Sequence, residues 1–191
     1  MTLAIPDNFI KPYNLLAIDP GSNNIGIAIF NINPSTNTIN SIYAFTLEIE
    51  RMPETNNYDP DIYPERTMKL LKIKEVISRL LYYYIPDVVV CEAPFYNRLR
   101  PTAYGPLVEV MTVIQQCVIE YGPHIPFHKL EPSIIKKTIG AGHIADKDTV
   151  RKTIQANTHL ISRLTYDVNT LDEHAIDAIA IGDTFLKLNG S

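Results

Sequence analysis

Three acidic residues lie where the neighbouring sequence is apolar and has no need of a charge. Asp19 follows LLAI, Glu92 follows VVVC, and Asp177 interrupts AIDAIAIG. A carboxylate beside an apolar core costs free energy unless it is paired or binds a metal ion. Because the three are far apart in the sequence, we expect folding to bring them together as one cation-binding cluster.

His174 has the spacing to join this cluster. Residues three and four positions apart share one face of a helix, which places Asp177 near both His174 and Glu173. Oxygen ligands are typical of Mg²⁺ sites, and a histidine favours Mn²⁺. The sequence therefore predicts a Mg²⁺ site that Mn²⁺ can also occupy. The predicted metal ligands are Asp19, Glu92, His174 and Asp177.

Each of these residues taken alone has a simpler explanation. Asp19 could cap the turn at residues 20–24, and Glu92 could lie in a surface loop. Residues 170–173, TLDE, have the pattern of a helix capping box, which would account for Glu173. His174 could be an ordinary surface histidine. The cation cluster is the hypothesis that explains all of the predicted ligands together.

The composition limits the class of protein. The chain has 191 residues, 46% apolar and 20% charged, which is typical of one globular domain. No apolar run approaches the ~20 residues of a membrane span, and the N-terminus lacks a signal-peptide pattern. Its two cysteines, Cys91 and Cys117, lie in apolar runs, which favours a reducing compartment. We expect a cytoplasmic protein that has no membrane partner.

Charge is distributed unevenly along the chain. The net charge is −4, yet residues 129–152 carry six lysines and arginines against three acidic residues, a local charge of +3. Lysines on helices are commonly just solvated, whereas a clustered basic segment can also contact the phosphates of a nucleic acid. The sequence leaves both interpretations open for this segment.

Periodicity predicts the elements that position these residues. Residues 14–19, 25–32 and about 39–48 are predicted as three strands of an antiparallel meander, separated by turns. Helical spacing follows over about 70–84, and the apolar run 87–91 suits a strand buried on both faces and parallel to the first. Asp19 and Glu92 are therefore expected at the same edge of the sheet.

The second half of the chain alternates helices with a short strand. We predict helices at about 104–120, 132–138, 147–157 and 171–188, a strand at 125–130, and an irregular segment at 158–169. The apolar stripe of the 104–120 helix could be either a dimer face or core. The fold class is thus α/β, a mixed five-stranded sheet with three antiparallel strands and then parallel strands, flanked by helices. Residues 1–13 are assigned to an N-terminal extension and 14–191 to a single domain.

This set of motifs resembles the RNase H-like (retroviral integrase-like) nucleases, and within them the RuvC-type Holliday-junction resolvases. Residues 14–30 are similar to the family's first two strands, and 173–182 to its last catalytic helix. Residues 135–150 resemble its lysine-bearing segment, with Lys136 and Lys147 at the functional positions. Phe95 falls where the family has an aromatic residue at the junction. The N-terminal extension and the 51–65 loop are longer than the family minimum, and Pro94 alters the pattern after Glu92.

The resemblance implies an RNase H-like fold and a metal-dependent endodeoxyribonuclease of recombination and repair that cuts four-way junctions by paired symmetric nicks. It implies two divalent ions, products with a 5′ phosphate and a 3′ hydroxyl, and a homodimer on branched DNA, without a nucleotide cofactor. The implied catalytic residues are Asp19, Glu92, His174, Asp177 and Lys147. The implied DNA-binding residues are Phe95, Tyr96, Arg98, Arg100, Lys136, Lys137, Lys147, Arg151 and Lys152.

Two other classes share parts of this pattern. The first hairpin, DPGSNNIGIAIF, also resembles the phosphate hairpin of actin-like ATPases and sugar kinases, which need a second such lobe and a longer chain. A different RNase H-like nuclease, acting on flaps, replication forks or RNA–DNA hybrids, would use the same acidic residues. If the chain acts on chromosomal DNA, we expect it in a bacterial nucleoid, or in the host cytoplasm if it is viral.

Overall fold

Five strands form one mixed sheet in the computed structural model, which describes residues 11–36, 38–53, 58–59, 61–96, 101–142 and 146–190, with Ala103 described by its backbone alone. The strands are β1 (Tyr13–Asp19), β2 (Asn24–Asn33), β3 (Thr38–Glu48), β4 (Val88–Glu92) and β5 (Phe127–Leu130). Their spatial order is β3-β2-β1-β4-β5. The first three pair antiparallel, whereas β4 runs parallel to β1 and β5 runs parallel to β4. The predicted fold class is confirmed.

Six α-helices accompany the sheet within the described residues. They are α1 (Glu65–Tyr84), α2 (Tyr104–Tyr121), α3 (Pro132–Ile139), α4 (Lys147–Ala156), α5 (Thr158–Ile161) and α6 (Glu173–Leu188). The prediction of an irregular 158–169 segment was wrong for its first residues, because Asn157 caps the short helix α5 through its side chain. Most of the predicted extension 1–13 lies outside the described residues, and β1 already begins at Tyr13.

The helices cover the two faces of the sheet as separate layers. One face, which includes Leu16, Ile27 and Val89, packs against α1 and α2. The other face, which includes Leu15, Phe30 and Val90, packs against α6, with α3 and α4 beside it. Alternate residues of β1 and β4 therefore enter opposite cores, which explains why both strands are continuously apolar.

The apolar stripe of α2 belongs to the core. Val110, Met111, Ile114 and Val118 are all buried, in the layer shared with α1. The alternative of a dimer face is therefore wrong for these four residues. None of the helices in the described part of the chain combines the length and the apolar character that a membrane span requires.

Helix α6 approaches the sheet unusually closely. Every residue from Ala178 to Leu186 is buried, so this helix has no long solvent-facing stripe. Two glycines permit the approach. A Cβ atom on Gly182 would lie 2.1 Å from the ring of Phe30, and a Cβ atom on Gly26 would lie 2.0 Å from the carbonyl oxygen of His174. The first turn of α6 is thereby seated on β2, beside the end of β1.

Candidate active site

The carboxyl ends of β1 and β4 place Asp19 and Glu92 side by side. The two strands are parallel neighbours with Ile18 opposite Cys91, and each strand ends at its acidic residue one position later. Side chains at the carboxyl ends of parallel strands emerge at one edge of the sheet, where ligands bind in open α/β folds. The predicted adjacency of Asp19 and Glu92 thus follows from the observed pairing.

The first turn of α6 brings His174 onto Asp19. Nδ1 of His174 lies 3.1 Å from Oδ2 of Asp19, and both side chains are mostly buried. On the other side of the ring, Nε2 lies 3.4 Å from Nδ2 of Asn24 and 3.6 Å from a carboxylate oxygen of Glu173. The hydrogen bond with Asp19 raises the pKa of His174, since the carboxylate stabilises the imidazolium.

Glu92 and Asp177 are held in a position that opposes their ionisation. Burial, reinforced by the charges of Asp19 and Asp177, raises the pKa of Glu92 from 4.5 to about 8. Burial, followed by the charge of Asp19, raises the pKa of Asp177 from 3.8 to about 7. Lys136 and Lys147 oppose the rise at Glu92, and Lys147 also opposes it at Asp177. The carboxyl groups of Asp19, Glu92 and Asp177 therefore repel one another, and the neighbouring lysines supply too little positive charge to offset that repulsion.

The donor chemistry of this cluster fits a hard divalent cation. Carboxylate oxygens are the ligands that Mg²⁺ uses, and a cation would offset the repulsion among Asp19, Glu92 and Asp177. Among the described residues, however, no three His, Cys, Asp or Glu side chains are arranged to hold a metal ion without movement. The assignment of Asp19, Glu92, His174 and Asp177 as ligands stays a prediction.

A cleft of about 490 Å³ opens beside the carboxylates. Its lining includes the acidic residues Glu92 and Asp177 and the basic residues Lys136 and Lys147. Phe95 is at the rim with 64% of its surface exposed. A cleft with acidic and basic walls is able to take up a metal ion and a phosphate group side by side.

Comparison with solved structures identifies this architecture. No protein family model matches the sequence, and no curated protein matches it. A structure of Thermus thermophilus RuvC superimposes with a TM-score of 0.63 at 18% identity, over 90% of this chain and 92% of that one. This chain has the fold of the RuvC-type resolvases. The T. thermophilus RuvC complex with a Holliday junction substrate gives a TM-score of 0.62 at 15% identity, covering 93% and 96% of the two chains. The yeast mitochondrial Holliday junction resolvase Ydc2 gives 0.61 at 12% identity, covering 96% and 83%.

Several residues that the resemblance implies for DNA binding line the outer surface of the RuvC-type fold. Tyr96 is exposed and lies edge-on against Tyr104, with ring centres 5.6 Å apart. Lys137 and Lys152 are exposed on α3 and α4. Arg98 and Arg100 lie outside the described residues. The DNA-binding roles of all these residues stay predictions.

Arg151 has an internal partner in this structure. Its guanidinium is half-buried and donates to the carbonyl oxygen of Leu171 at 3.0 Å. This contact ties α4 to the segment that enters α6. Any contact of Arg151 with DNA would have to use its remaining N–H groups, because a guanidinium carries five donors.

The sequence did not indicate two polar contacts at this site, that of Glu173 with Lys147 and that of Asn24 with His174. Glu173 is not the third residue of a capping box. Asp172 is the N-cap, accepting from the backbone N–H of Ala175 at 3.0 Å, and Glu173 is the first helical residue. Its carboxylate instead lies 3.0 Å from the ammonium of Lys147. Asn24, beside His174, was missed because no spacing rule connects residues so distant in the sequence.

Proposed function

We propose that this protein is a structure-selective, metal-dependent DNA endonuclease that resolves four-way (Holliday) junctions by paired symmetric nicks. One observation carries the proposal: the carboxyl groups of Asp19, Glu92 and Asp177 converge beside a lysine-lined cleft. The fold in which they converge is shared with Holliday junction resolvases, including one solved with its junction substrate. No feature of the described residues favours flaps, forks or RNA–DNA hybrids over four-way junctions.

The acidic cluster would hold the catalytic cations. Asp19, Glu92, His174 and Asp177 supply oxygen and nitrogen donors, with Asp19 central because its charge acts on both other carboxyl groups. When bound, Mg²⁺ or Mn²⁺ would activate the attacking water and offset the charge on the departing oxygen. Attack of water on the scissile phosphorus with cleavage of its bond to the 3′ oxygen would leave a 5′ phosphate and a 3′ hydroxyl.

The basic and aromatic residues around the cleft would handle the DNA itself. Lys147 and Lys136 are close enough to offset charge that builds on the scissile phosphate. Lys137 and Lys152 would contact neighbouring phosphates and set the register of the backbone. Phe95 and Tyr96 present exposed rings at the rim, where they could stack on bases left unpaired at a crossover.

Substitution of Asp19 tests the proposed reaction most directly. The wild-type protein, incubated with a synthetic immobile four-way junction and Mg²⁺ or Mn²⁺, should produce symmetric nicks bearing 5′ phosphates. Asp19→Asn should lower the cleavage rate by about 10³-fold or more, because several kcal/mol of charge stabilisation are lost. Glu75→Gln, which removes a partly exposed carboxylate on α1 that pairs with Arg79, is the matched control and should cut normally.

The substrate arms of this experiment separate the alternatives. Flaps, forks and RNA–DNA hybrids are incubated in parallel with the four-way junction. Cleavage confined to one of those substrates would transfer the function to a different RNase H-like nuclease. Tight binding to the junction without a cut under either metal would reject the proposed activity and leave the fold assignment intact.

Paired nicks need two active sites on one junction. A two-fold homodimer supplies them by symmetry and places equivalent sites on strands of like polarity. We therefore expect light scattering at micromolar concentration to give twice the 21.6 kDa chain mass for the free protein, and that mass plus the mass of the DNA for the complex with the junction. A protein that remains a monomer with and without DNA would contradict the paired-nick mechanism.

A further inference from the structure

A row of three polar contacts joins one face of α4 to the segment that enters α6. On α4, Lys147, Arg151 and Gln155 are four positions apart and therefore lie along one face of the helix. Their partners Glu173, Leu171 and Asn169 are two positions apart and follow in the opposite direction along the chain. We call this row the α4–α6 ladder. Its contacts are Lys147 with Glu173 at 3.0 Å, Arg151 with the carbonyl of Leu171 at 3.0 Å, and Gln155 with Asn169 at 3.2 Å.

The ladder meets the catalytic cleft at its first contact. Lys147 is the first residue of α4, which Asp146 caps by accepting from the N–H of Thr149 at 2.8 Å. Glu173 is the first residue of α6, which Asp172 caps in the same way. Both backbones are therefore fixed, and the remaining freedom at this contact lies in the two side chains.

A lysine side chain is flexible, and its position has to be imposed by its partners. The long stem of a lysine can adopt many rotamers, and its ammonium has three donors. In this structure one partner of Lys147 is Glu173, while the positive charge also acts on Glu92 and Asp177 inside the cleft. The carboxylate of Glu173 thus sets where the ammonium stands relative to the acidic cluster.

We propose that Glu173 is a positioning residue that holds the ammonium of Lys147 at the mouth of the cleft, where the scissile phosphate must lie. This inference rests on the proposed function. Both members of this ion pair are about half exposed, and solvent screens such pairs, so the contact contributes little to the stability of the fold. Its value lies in orientation, since displacement of a catalytic group by about 1 Å can lower a rate by ~10²-fold.

A double-mutant cycle tests whether Glu173 acts through Lys147. Single-turnover cleavage of the four-way junction is measured at saturating protein, and junction affinity is measured separately without a metal ion. Glu173→Gln should cut about tenfold more slowly, with junction affinity and melting temperature nearly unchanged. Glu173→Asp, which keeps the charge, should recover part of the rate. In a Lys147→Met background, Glu173→Gln should have no further effect.

Other results would overturn the inference. A Glu173→Gln protein that cuts as fast as the wild type would reject it, and so would an equal loss of rate in the Lys147→Met background. The control Glu75→Gln breaks a different surface ion pair and should change neither rate nor affinity. If the wild type itself does not cut four-way junctions, the proposed function fails and the inference fails with it.

The contact can also be tested without DNA or metal. A carbodiimide converts a carboxylate and a touching lysine amine into an amide with loss of water. Peptide mapping of the treated wild-type protein should find residues 147 and 173 joined. Absence of this crosslink, in a sample where Lys74 and Glu120 become joined at their equal separation of 3.0 Å, would contradict the contact.

Discussion

Glu92→Gln should abolish junction cleavage and at the same time raise the melting temperature of the metal-free protein. Burial and two neighbouring carboxyl groups disfavour a charge at Glu92, which raises its pKa to about 8. One pKa unit corresponds to about 1.4 kcal/mol, so folding, which near neutral pH must keep this carboxyl group protonated or bury its charge, costs on the order of several kcal/mol at Glu92. A glutamine keeps the shape and removes the charge, and for a chain of this size each kcal/mol is worth about 2–4 °C.

The pH dependence of stability follows from the direction in which folding shifts the pKa values of Glu92 and Asp177. Glu92 and Asp177 both bind protons more tightly in the folded state than in the unfolded state. Their contribution to metal-free stability is therefore largest at low pH and is lost as pH rises through about 7 and about 8, the folded pKa values of Asp177 and Glu92. The advantage of Glu92→Gln over wild type should accordingly be small near pH 5 and grow towards pH 8 or so.

Thermal unfolding in chelator at several pH values measures this effect. Added Mg²⁺ or Mn²⁺ should raise the melting temperature of the wild type, because ligands that bind only the folded state stabilise it, and should raise that of Glu92→Gln less. Glu75→Gln is again the control and should follow the wild type. A Glu92→Gln protein that melts below the wild type near pH 8 in chelator would contradict the repulsive cluster.

Gly26→Ala should lower cleavage by about 100-fold or more, although the substitution changes none of the predicted catalytic residues themselves. The added Cβ would lie 2.0 Å from the carbonyl oxygen of His174 and 3.1 Å from Cβ of Asp19. Backbone cannot yield as a flexible side chain would, so the start of α6 must move away from β2. The contact between His174 and Asp19 is then lost, and overpacking of this kind costs typically about 1–3 kcal/mol of stability.

Two other glycine substitutions separate the site from the fold. Gly182→Ala would push against Phe30 farther along α6, so it should lower stability with a smaller effect on the cleavage rate constant of the folded protein. At Gly105 on α2 the added Cβ meets nothing closer than 3.8 Å, so Gly105→Ala should be neutral or slightly stabilising. Equal cleavage rates for Gly26→Ala and Gly105→Ala would contradict the close seating of α6.

The sheet and the position of its acidic residues could be predicted because they depend on local patterns. Apolar runs and turn residues located β1 to β3, and the continuous apolar run located β4 as a strand buried on both faces. From the parallel crossover between them, the adjacency of Asp19 and Glu92 followed without any knowledge of side-chain contacts. The resemblance to RuvC-type resolvases added the fold name, and solved structures confirm that fold.

The polar contacts around the cleft could not be predicted from the sequence. Several residues are chemically able to form each contact, and only the fold decides which pair lies within bonding distance. Thr170 and Asp172 are both good helix caps, and the structure uses Asp172. Because Asp172 is the cap, Glu173 is not part of a capping box, and its carboxylate pairs with Lys147 instead. These two residues are 26 positions apart, and no helical spacing connects them. The resemblance implies DNA binding for Arg151, and no sequence pattern indicates that it also donates to the backbone carbonyl of Leu171.

The seating of α6 on β2 also sets when the protein can become active during its synthesis. The contact between Asp19 and His174 can form only after the ribosome has added His174, 155 residues later. At about 5–20 residues per second, that interval is roughly 10–30 s. During that time a nascent chain can build β1 to β3 but not the acidic cluster, because α6 is still missing. The proposed nuclease activity therefore cannot begin before α6 has been synthesised and seated on β2.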